Sequence, residues 1–334
     1  MRLLLSIALA GWTALSFGQD IHFSQFDLQP LHYNPGYAGL FDGDYRISGI
    51  ERTQWRSVTT PYQTFGLAGD LRNPGHSRNT AVGLSLYQDR AGDSRLGQLQ
   101  VNLTGAFHIP LSADSTQILS VGITTGITHF SIDYAQLQFD NQWGGTAYDP
   151  NLATGEAFAR DSRTYVNMAL GAAYHKRWAQ RNIAYGGLAI HNLTRPNQSF
   201  QDALGVKLNP RISAHGWASI AVAEEWDLQP SILWQAQDRY REVLMGASAR
   251  YLLSGLGELH QAVLAGFYFR AGDAGYLLVG GEYGPWKAGI TYDFNWSNLT
   301  PASDGKGGLE LAVQYIFKRI DPGALPLPLC PDFL

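Results

Sequence analysis

Hydrophobic and polar residues alternate with a period of two along most of the chain. In residues 98–107, the large hydrophobic side chains from Leu99 to Phe107 occupy odd positions, while Gln, Asn and Thr occupy even positions. The same alternation recurs in residues 119–128, 286–294 and 309–317. Because successive side chains of a β-strand point to opposite faces, this period predicts strands with one hydrophobic and one polar face.

About fourteen such segments occur, each with the ~10 residues that a tilted strand needs to cross a membrane. The segments begin near Asp44, Pro61, Asn79, Arg95, Gln117, Thr164, Asn182, Pro210, Trp226, Arg241, Glu258, Ala274, Pro285 and Gly307. The pattern predicts an all-β protein, a transmembrane antiparallel up-and-down β-barrel over residues 44–317, surrounded by outer-membrane lipid.

A soluble β-sandwich is the alternative, and composition weighs against it. Sandwich strands are usually ~5–6 residues long, and their polar faces carry Lys and Glu, whereas here those faces carry mainly Gly, Ser, Thr, Asn and Gln. Charged residues make up only 16% of the chain, against ~25% in typical soluble domains. The 37 Gly, 17 Tyr and 9 Trp are typical of membrane barrels with aromatic girdles at both interfaces.

The lengths of the connections predict how the barrel is oriented. The three longest connections lie at about residues 132–163, 191–209 and 295–306, and they are the fifth, seventh and thirteenth in order. An even number of strands places all three on the same side. Since outer-membrane barrels have longer external loops, we expect these connections outside and both chain termini in the periplasm.

The first 18 residues have the features of a secretion signal. Arg2 provides a positive charge, a short hydrophobic stretch runs from Leu3 to Leu15, and Ser16 and Gly18 are small residues at the −3 and −1 positions. We expect cleavage before Gln19. An uncleaved anchor is the alternative, but the stretch is shorter than the ~20 residues of a membrane-spanning helix.

Two segments fall outside the alternation. Residues 19–43 precede the first strand, and their Pro and Gly residues argue against a helix. We expect this segment either to fill the lumen as a plug or to form a partner-binding surface at the periplasmic mouth. The candidate residues are Phe23, Gln25, Phe26, Tyr33, Asn34, Pro35 and Tyr37. Residues 318–334 are rich in proline and are expected to form a short periplasmic tail.

The sequence motifs indicate no enzymatic activity, and we predict no catalytic residue and no cofactor. The chain lacks a phosphate-binding loop, a G-x-S-x-G motif and an H-E-x-x-H motif, and its net charge of −4 gives no reason to expect nucleic acid. Cys330 is the only cysteine. His22 and His32 are better explained by hydrogen bonds within a plug than by zinc.

The fifth connection contains a cluster of oxygen-bearing side chains that could bind calcium. The cluster consists of Asp140, Asn141, Asp149 and Asn151. An ordinary polar external loop is the simpler explanation, and we predict no metal site.

The two non-barrel ends resemble a known family. The residues that carry the resemblance include Gln19–Phe26, Tyr33–Pro35, Arg52 to Trp55, Gly289–Asp293, Gly307–Glu310 and the ending Cys330-Pro331-Asp332-Phe333. Together they resemble the PorP/SprF family of outer-membrane proteins of the Bacteroidetes type IX secretion and gliding machinery. The extra Leu334, and Asp332 where a basic residue is common, depart from the family ending.

The resemblance implies a non-enzymatic role in anchoring or exporting a specific cargo, such as an adhesin with a C-terminal sorting domain. It also implies contact with periplasmic parts of the machine, either a ring lipoprotein or a peptidoglycan-binding linker. We expect the cargo to bind at the mouth or in the lumen, where an extended strand could pair with exposed backbone. A passive channel or small-solute transporter is the alternative function, and an outer-membrane hydrolase is a third.

Overall fold

The computed structural model describes residues 21–54, 60–77, 79–201, 205–254, 260–296 and 306–318. The predicted signal peptide (residues 1–18) and its cleavage site lie outside the described residues, as do Trp55, most of the connection at 295–306 and the tail from residue 319 onward. Within the described residues, none of the helical segments has the length and apolar composition of a membrane span.

Fourteen antiparallel strands form a closed barrel in which each strand pairs with its neighbours in sequence and β1 pairs with β14. The strands are β1 (Tyr45–Gln54), β2 (Tyr62–Arg72), β3 (Thr80–Ala91), β4 (Leu96–Pro110), β5 (Gln117–Ser131), β6 (Ser162–Arg177), β7 (Ile183–His191), β8 (Arg211–Ala221), β9 (Trp226–Gln237), β10 (Tyr240–Ser254), β11 (Gln261–Arg270), β12 (Ala274–Tyr283), β13 (Trp286–Asn295) and β14 (Lys306–Phe317). The predicted barrel is confirmed, and every strand begins within three residues of its predicted start.

The two faces of the wall follow the alternation. Leu103 is 58% exposed on the outside, whereas the next residue, Thr104, is 2% exposed on the inside. Ile290 and Thr291 repeat the contrast, at 52% and 0%. A soluble protein would bury such a surface. A closed sheet with a hydrophobic outside instead has the geometry of a membrane-spanning barrel.

The three longest connections all lie at one end of the barrel, as predicted, between β5 and β6, β7 and β8, and β13 and β14. We call this the loop end, and we call the opposite end, where β1 begins and β14 finishes, the base end. Exposed aromatic side chains occur at both. They include Trp226, Trp286 and Phe317 at the base end and Phe269 and Phe294 at the loop end, consistent with two interfacial girdles.

The segment before β1 lies inside the barrel, and we call residues 21–43 the plug. It contains two 3-10 turns, Phe26–Leu28 and Pro35–Tyr37, and one short helix, α1 (Pro30–Tyr33). The prediction that residues 19–43 contain no helix was therefore wrong for the single turn of α1. Pro30 occupies the first turn of α1, where its missing N–H leaves no intrahelical hydrogen bond unmade.

The plug runs through the lumen from the loop end towards the base end. The carbonyl of Ile21 accepts a hydrogen bond from Arg211, which is the first residue of β8 and lies at the loop end. Sixteen residues further along, Tyr37 accepts one from Arg46 near the base end. The start of β1 and the finish of β14 share the base end, as the even strand count predicts, but the first described residue does not lie there.

Glycines in the wall make room for the plug. A Cβ atom on Gly122 would lie 2.4 Å from the backbone of Pro35, and one on Gly171 would lie 2.1 Å from the Asn34 side chain. In contrast, a Cβ on Gly105 of the neighbouring strand would have nothing within 4 Å. The absence of a side chain at Gly122 is thus needed for close approach of the plug.

The substitution Gly122→Ala is expected to destabilise the folded barrel by about 1–3 kcal/mol, because the plug backbone must move to relieve the overlap. Gly105→Ala is the matched control and is expected to leave stability unchanged. Urea unfolding of the refolded protein in detergent micelles measures both. Equal midpoints for the two variants would contradict this packing.

Candidate functional site

The loop-end half of the plug is held by one buried carboxylate. Glu310 of β14, which is 0% exposed, accepts hydrogen bonds from the backbone N–H groups of Ser24 (2.8 Å) and Gln25 (2.7 Å). From β12, the hydroxyl of Tyr276 donates to the carbonyl of Ser24 at 2.7 Å. Three backbone groups of the plug, which would otherwise be buried without partners, are satisfied by the barrel wall.

Two arginines complete this attachment from other strands. Arg52 of β1 pairs with Asp293 of β13 at 2.7 Å and with Glu310 at 3.0 Å. Arg270 of β11 pairs with Glu242 of β10 at 3.2 Å and reaches Asp293 at 3.5 Å. We call these five residues the charge cluster.

The Ser24 side chain lies in the middle of the charge cluster. Its hydroxyl accepts a hydrogen bond from Arg270 at 3.1 Å and donates to Asp293 at 3.4 Å. The plug therefore contributes a side chain, as well as its backbone, to the network.

The charge cluster places side chains of opposite charge next to each other. Its side chains are at most 3% exposed, and an isolated charge at such a depth would cost many kcal/mol. Two guanidinium groups face three carboxylates, plug N–H groups also donate to Glu310, and Tyr240 donates to Glu242 at 3.1 Å. Removal of one charged side chain from the charge cluster should therefore lower the free energy of unfolding more than loss of an exposed ion pair does.

The middle of the plug is fixed by Asn34. Its side-chain amide donates to the carbonyls of Ala172 (2.9 Å) and Leu188 (3.3 Å), and its side-chain oxygen accepts from Gly36 N–H at 2.8 Å. Asn34 thus caps the following 3-10 turn and joins it to β6 and β7. An asparagine followed by a proline commonly starts a turn, and Asn34 and Pro35 do so here.

A second buried ion pair holds the base-end half. Arg46 of β1 pairs with Asp70 of β2 at 2.8 Å, and Asp70 also accepts from the N–H of Gly39 at 2.7 Å. His108 of β4 bonds the carbonyl of Ala38 at 2.9 Å. Each half of the plug is consequently attached to the wall by an inward-facing carboxylate that binds both an arginine and plug backbone.

All seven candidate residues of the N-terminal segment lie inside the lumen. Phe23, Phe26, Tyr33 and Tyr37 are at most 4% exposed, so their side chains form no exposed surface at either mouth. Gln25, Asn34 and Pro35 are buried as well. Direct partner binding by these side chains would require the plug to move, and that role stays a proposal.

The aromatic side chains instead pack against each other and against the wall. Phe26 and His32 each lie edge-on to Tyr33, with ring centroids 5.9 and 4.9 Å apart, and Phe23 lies 6.2 Å from Tyr87 of β3. The Nε2 atom of His32 bonds the carbonyl of Ile21 at 2.8 Å. In the described part of the chain, no three His, Cys, Asp or Glu side chains are placed to share a metal ion.

The charge cluster was not identified as a unit from the sequence. Arg52, Asp293 and Glu310 were noticed only as parts of a family resemblance, and Glu242 and Arg270 were not singled out. The available signal was the presence of charged residues on the polar face of predicted strands, where most residues are small and uncharged. Such inward charges in a barrel must find partners, but the alternation does not say which ones meet.

The fifth connection folds over the loop end and carries the second group of candidate residues. Asp149 accepts hydrogen bonds from the backbone and side chain of Asn151, both at 2.9 Å, and Asn141 donates to the carbonyl of Thr154. Tyr134 and Phe158 stack at 3.8 Å. The polar residues once considered for calcium make the contacts of an ordered loop.

Comparison of the chain with known proteins gives one family. The family described as type IX secretion system membrane protein PorP/SprF matches residues 15–315. No curated protein sequence matches the chain.

Solved structures with a similar fold are bacterial barrels of low sequence identity. A FadL homologue of Pseudomonas aeruginosa shares 11% identity with a TM-score of 0.47, covering 85% of this chain and 93% of that one. The toluene transporter TodX of Pseudomonas putida shares 11% identity with a TM-score of 0.46, covering 89% and 94%. The KdgM porin shares 6% identity with a TM-score of 0.39, covering 81% and 99%.

The substitution Glu310→Gln is expected to destabilise the protein by about 3 kcal/mol, because it removes one partner of the buried ion pair with Arg52. The backbone N–H groups of Ser24 and Gln25 should then exchange with solvent deuterium much faster than in the unmodified protein. Hydrogen exchange followed by mass spectrometry measures this loss of protection.

The control for this substitution is Lys318→Gln, which removes a pair with Asp42 whose side chains are 67% and 59% exposed. Loss of an exposed pair is expected to cost below about 1 kcal/mol and to leave the plug protected. Unchanged protection of the plug amides in Glu310→Gln would show that the charge cluster does not hold the plug.

Proposed function

Because the chain belongs to the PorP/SprF family of type IX secretion system membrane proteins, we propose that it is a plugged outer-membrane barrel that anchors a specific secreted cargo. The cargo class is an adhesin with a C-terminal sorting domain. In this proposal, the barrel is a docking platform of the secretion and gliding machinery and carries out no catalysis.

The observation that carries this proposal is the occupied lumen. The plug is bonded to strands on opposite sides of the barrel, through Glu310 of β14 at one point and through Ala172 of β6 and Leu188 of β7 at another. A conduit for solutes needs continuous open space along the barrel axis, whereas the described plug places large buried side chains such as Phe23 and Tyr33 inside the lumen. A passive channel is therefore the less favoured alternative.

The closed wall limits how a cargo strand can bind. β1 and β14 pair along their shared length, from Tyr45 with Phe317 to Gln54 with Gly308. A closed barrel has no sheet edge for an added strand, so cargo pairing with exposed wall backbone is not favoured. We propose that cargo binds the connections at one mouth.

The loop end is the better candidate for the cargo mouth. Its fifth connection exposes Trp143 (59%), Leu152 (40%) and Phe158 (37%), and we call these three residues the outer loop surface. Exposed aromatic and aliphatic side chains on a folded loop are typical of protein-binding surfaces. We assign the loop end to the cell exterior, since external connections are the longer ones in such barrels.

The base end would then face the periplasm. Its connections are short, and the start of β1 and finish of β14 both lie there. We propose that this end contacts a periplasmic component of the machinery, a ring lipoprotein or a peptidoglycan-binding linker. The two ends of one rigid barrel would thus join an external cargo to an internal anchor.

The purified protein in planar lipid bilayers is expected to show no stable conductance, because the plug occupies the lumen. A variant that lacks residues 21–37 but retains the strands should conduct if it folds, and its folding is checked by circular dichroism. Stable ohmic channels in the unmodified protein would favour the passive channel over the anchor.

Purification of the tagged, full-length protein from native membranes is expected to recover a large secreted adhesin, identified by mass spectrometry. The double substitution Trp143→Ser and Leu152→Ser should lower recovery about tenfold or more, since buried aromatic contacts dominate binding energy at interfaces. Failure to recover any secreted protein with the unmodified chain would contradict the proposal.

The matched control is Trp178→Ser, which replaces a tryptophan of similar exposure (49%) at the base end. Cargo recovery should stay unchanged in this variant. If Trp178→Ser lowers recovery and the loop-end variant does not, the cargo mouth is the base end.

A further inference from the structure

A cavity of about 270 Å³ opens at the base end, between the last residues of the plug and the wall. The plug supplies Gly39 to Asp42, β2 supplies Arg72, β6 supplies His175 and Arg177, and the turn between β4 and β5 supplies Asp114 to Thr116. None of these residues belongs to the charge cluster or to the outer loop surface.

The guanidinium group of Arg72 differs from those of Arg46, Arg52 and Arg270, which also point into the lumen. Arg46, Arg52 and Arg270 each lie 3.2 Å or less from a carboxylate. For Arg72, no carboxylate among the described residues lies within 4.0 Å, and its one side-chain hydrogen bond goes to the carbonyl of Phe41 at 3.4 Å. Its Nε atom is buried without a hydrogen-bond partner.

His175 provides a second unsatisfied group in the same cavity. The residue is 7% exposed, and neither ring nitrogen has a hydrogen-bond partner in the part of the chain that the structure describes. Its ring packs against Tyr185, with centroids 4.5 Å apart, which fixes the plane of the imidazole. Buried donors without partners are rare in folded proteins and often mark a site for a bound group.

The two acidic side chains of the cavity already have partners. Asp42 lies 3.7 Å from Arg177 and 3.4 Å from Lys318. Hydrogen bonds from Ser112 and Thr116 lower the pKa of Asp114. Among the described residues, neither acid lies within 4.0 Å of the Arg72 guanidinium, which therefore stays without a carboxylate partner beside an unsatisfied imidazole.

We propose that the base-end cavity binds a carboxylate of an acidic peptide segment, held by Arg72 and His175. A carboxylate accepts hydrogen bonds from a guanidinium and from an imidazole N–H at the same time. The cavity opens at the mouth opposite the outer loop surface, so an acidic segment would reach it without displacement of the plug. This inference concerns a separate site and does not rest on the cargo role.

Isothermal titration of the full-length protein in detergent micelles tests the site with three probes. The probes are capped tetraglutamate, capped tetraglutamine and free succinate. Tetraglutamate is expected to bind, with an affinity that falls as the salt concentration is raised. Tetraglutamine is expected not to bind. Succinate that binds as tightly as tetraglutamate would support a carboxylate site whose ligand is a small free anion rather than a peptide.

Arg72→Gln should weaken tetraglutamate binding about tenfold or more, because it removes the one charged donor. His175→Phe keeps the ring that packs on Tyr185 and should weaken binding by a smaller factor. Arg72→Lys retains the positive charge and replaces Arg72→Gln if that variant does not fold. Its affinity for tetraglutamate should lie between those of the unmodified protein and of Arg72→Gln. Arg95→Gln, at a loop-end turn, is the matched control and should bind as the unmodified protein does.

Two results would overturn the proposal. One is equal binding, or equal absence of binding, of tetraglutamate and tetraglutamine to the unmodified protein. The other is an affinity of folded Arg72→Gln for tetraglutamate that equals the affinity of the unmodified protein. If Arg72→Gln does not fold, the equivalent result is an unchanged affinity in both folded Arg72→Lys and folded His175→Phe.

Discussion

The structure depends on the need to fill the lumen of a wide barrel whose inner wall is polar. Small closed barrels are filled by their own inward side chains, but fourteen strands enclose more space than small Ser, Thr and Gly side chains occupy. The plug supplies the missing atoms and brings buried backbone groups that need partners. Glu310 and Asp70 meet that need, and their own charges are in turn compensated by Arg52 and Arg46.

Local periodicity was enough to predict the barrel, because the two faces of a strand differ at every residue. It predicted where the strands begin, that Leu103 and Thr104 lie on opposite faces, and that the long connections lie on one side. It did not predict the path of the plug. Arg52 and Glu310 are 258 positions apart, and only closure of β1 on β14 brings them together. The short helix α1 was not predicted because the Pro and Gly residues of 19–43 argue against a helix, whereas proline is compatible with a first turn, where Pro30 lies.

The same architecture explains why a plugged barrel suits attachment better than passage. A closed wall and a lumen filled by bonded side chains leave the two mouths as the surfaces available to other proteins. The mouths differ: the loop end exposes hydrophobic side chains such as Trp143, and the base end has a polar cavity around Arg72 and His175. A rigid body with two chemically different ends is suited to holding one partner on each side of a membrane.

The accessibility of a cysteine at position 38 is the most direct test that the plug occupies the lumen. Ala38 is 0% exposed and lies in the base-end half of the plug, and a cysteine there changes little volume. In a Cys330→Ser background, Ala38→Cys in the folded protein is expected to resist a bulky maleimide until heat unfolding, whereas Trp143→Cys reacts at once. Labelling of Ala38→Cys in the folded protein as fast as Trp143→Cys would contradict the account.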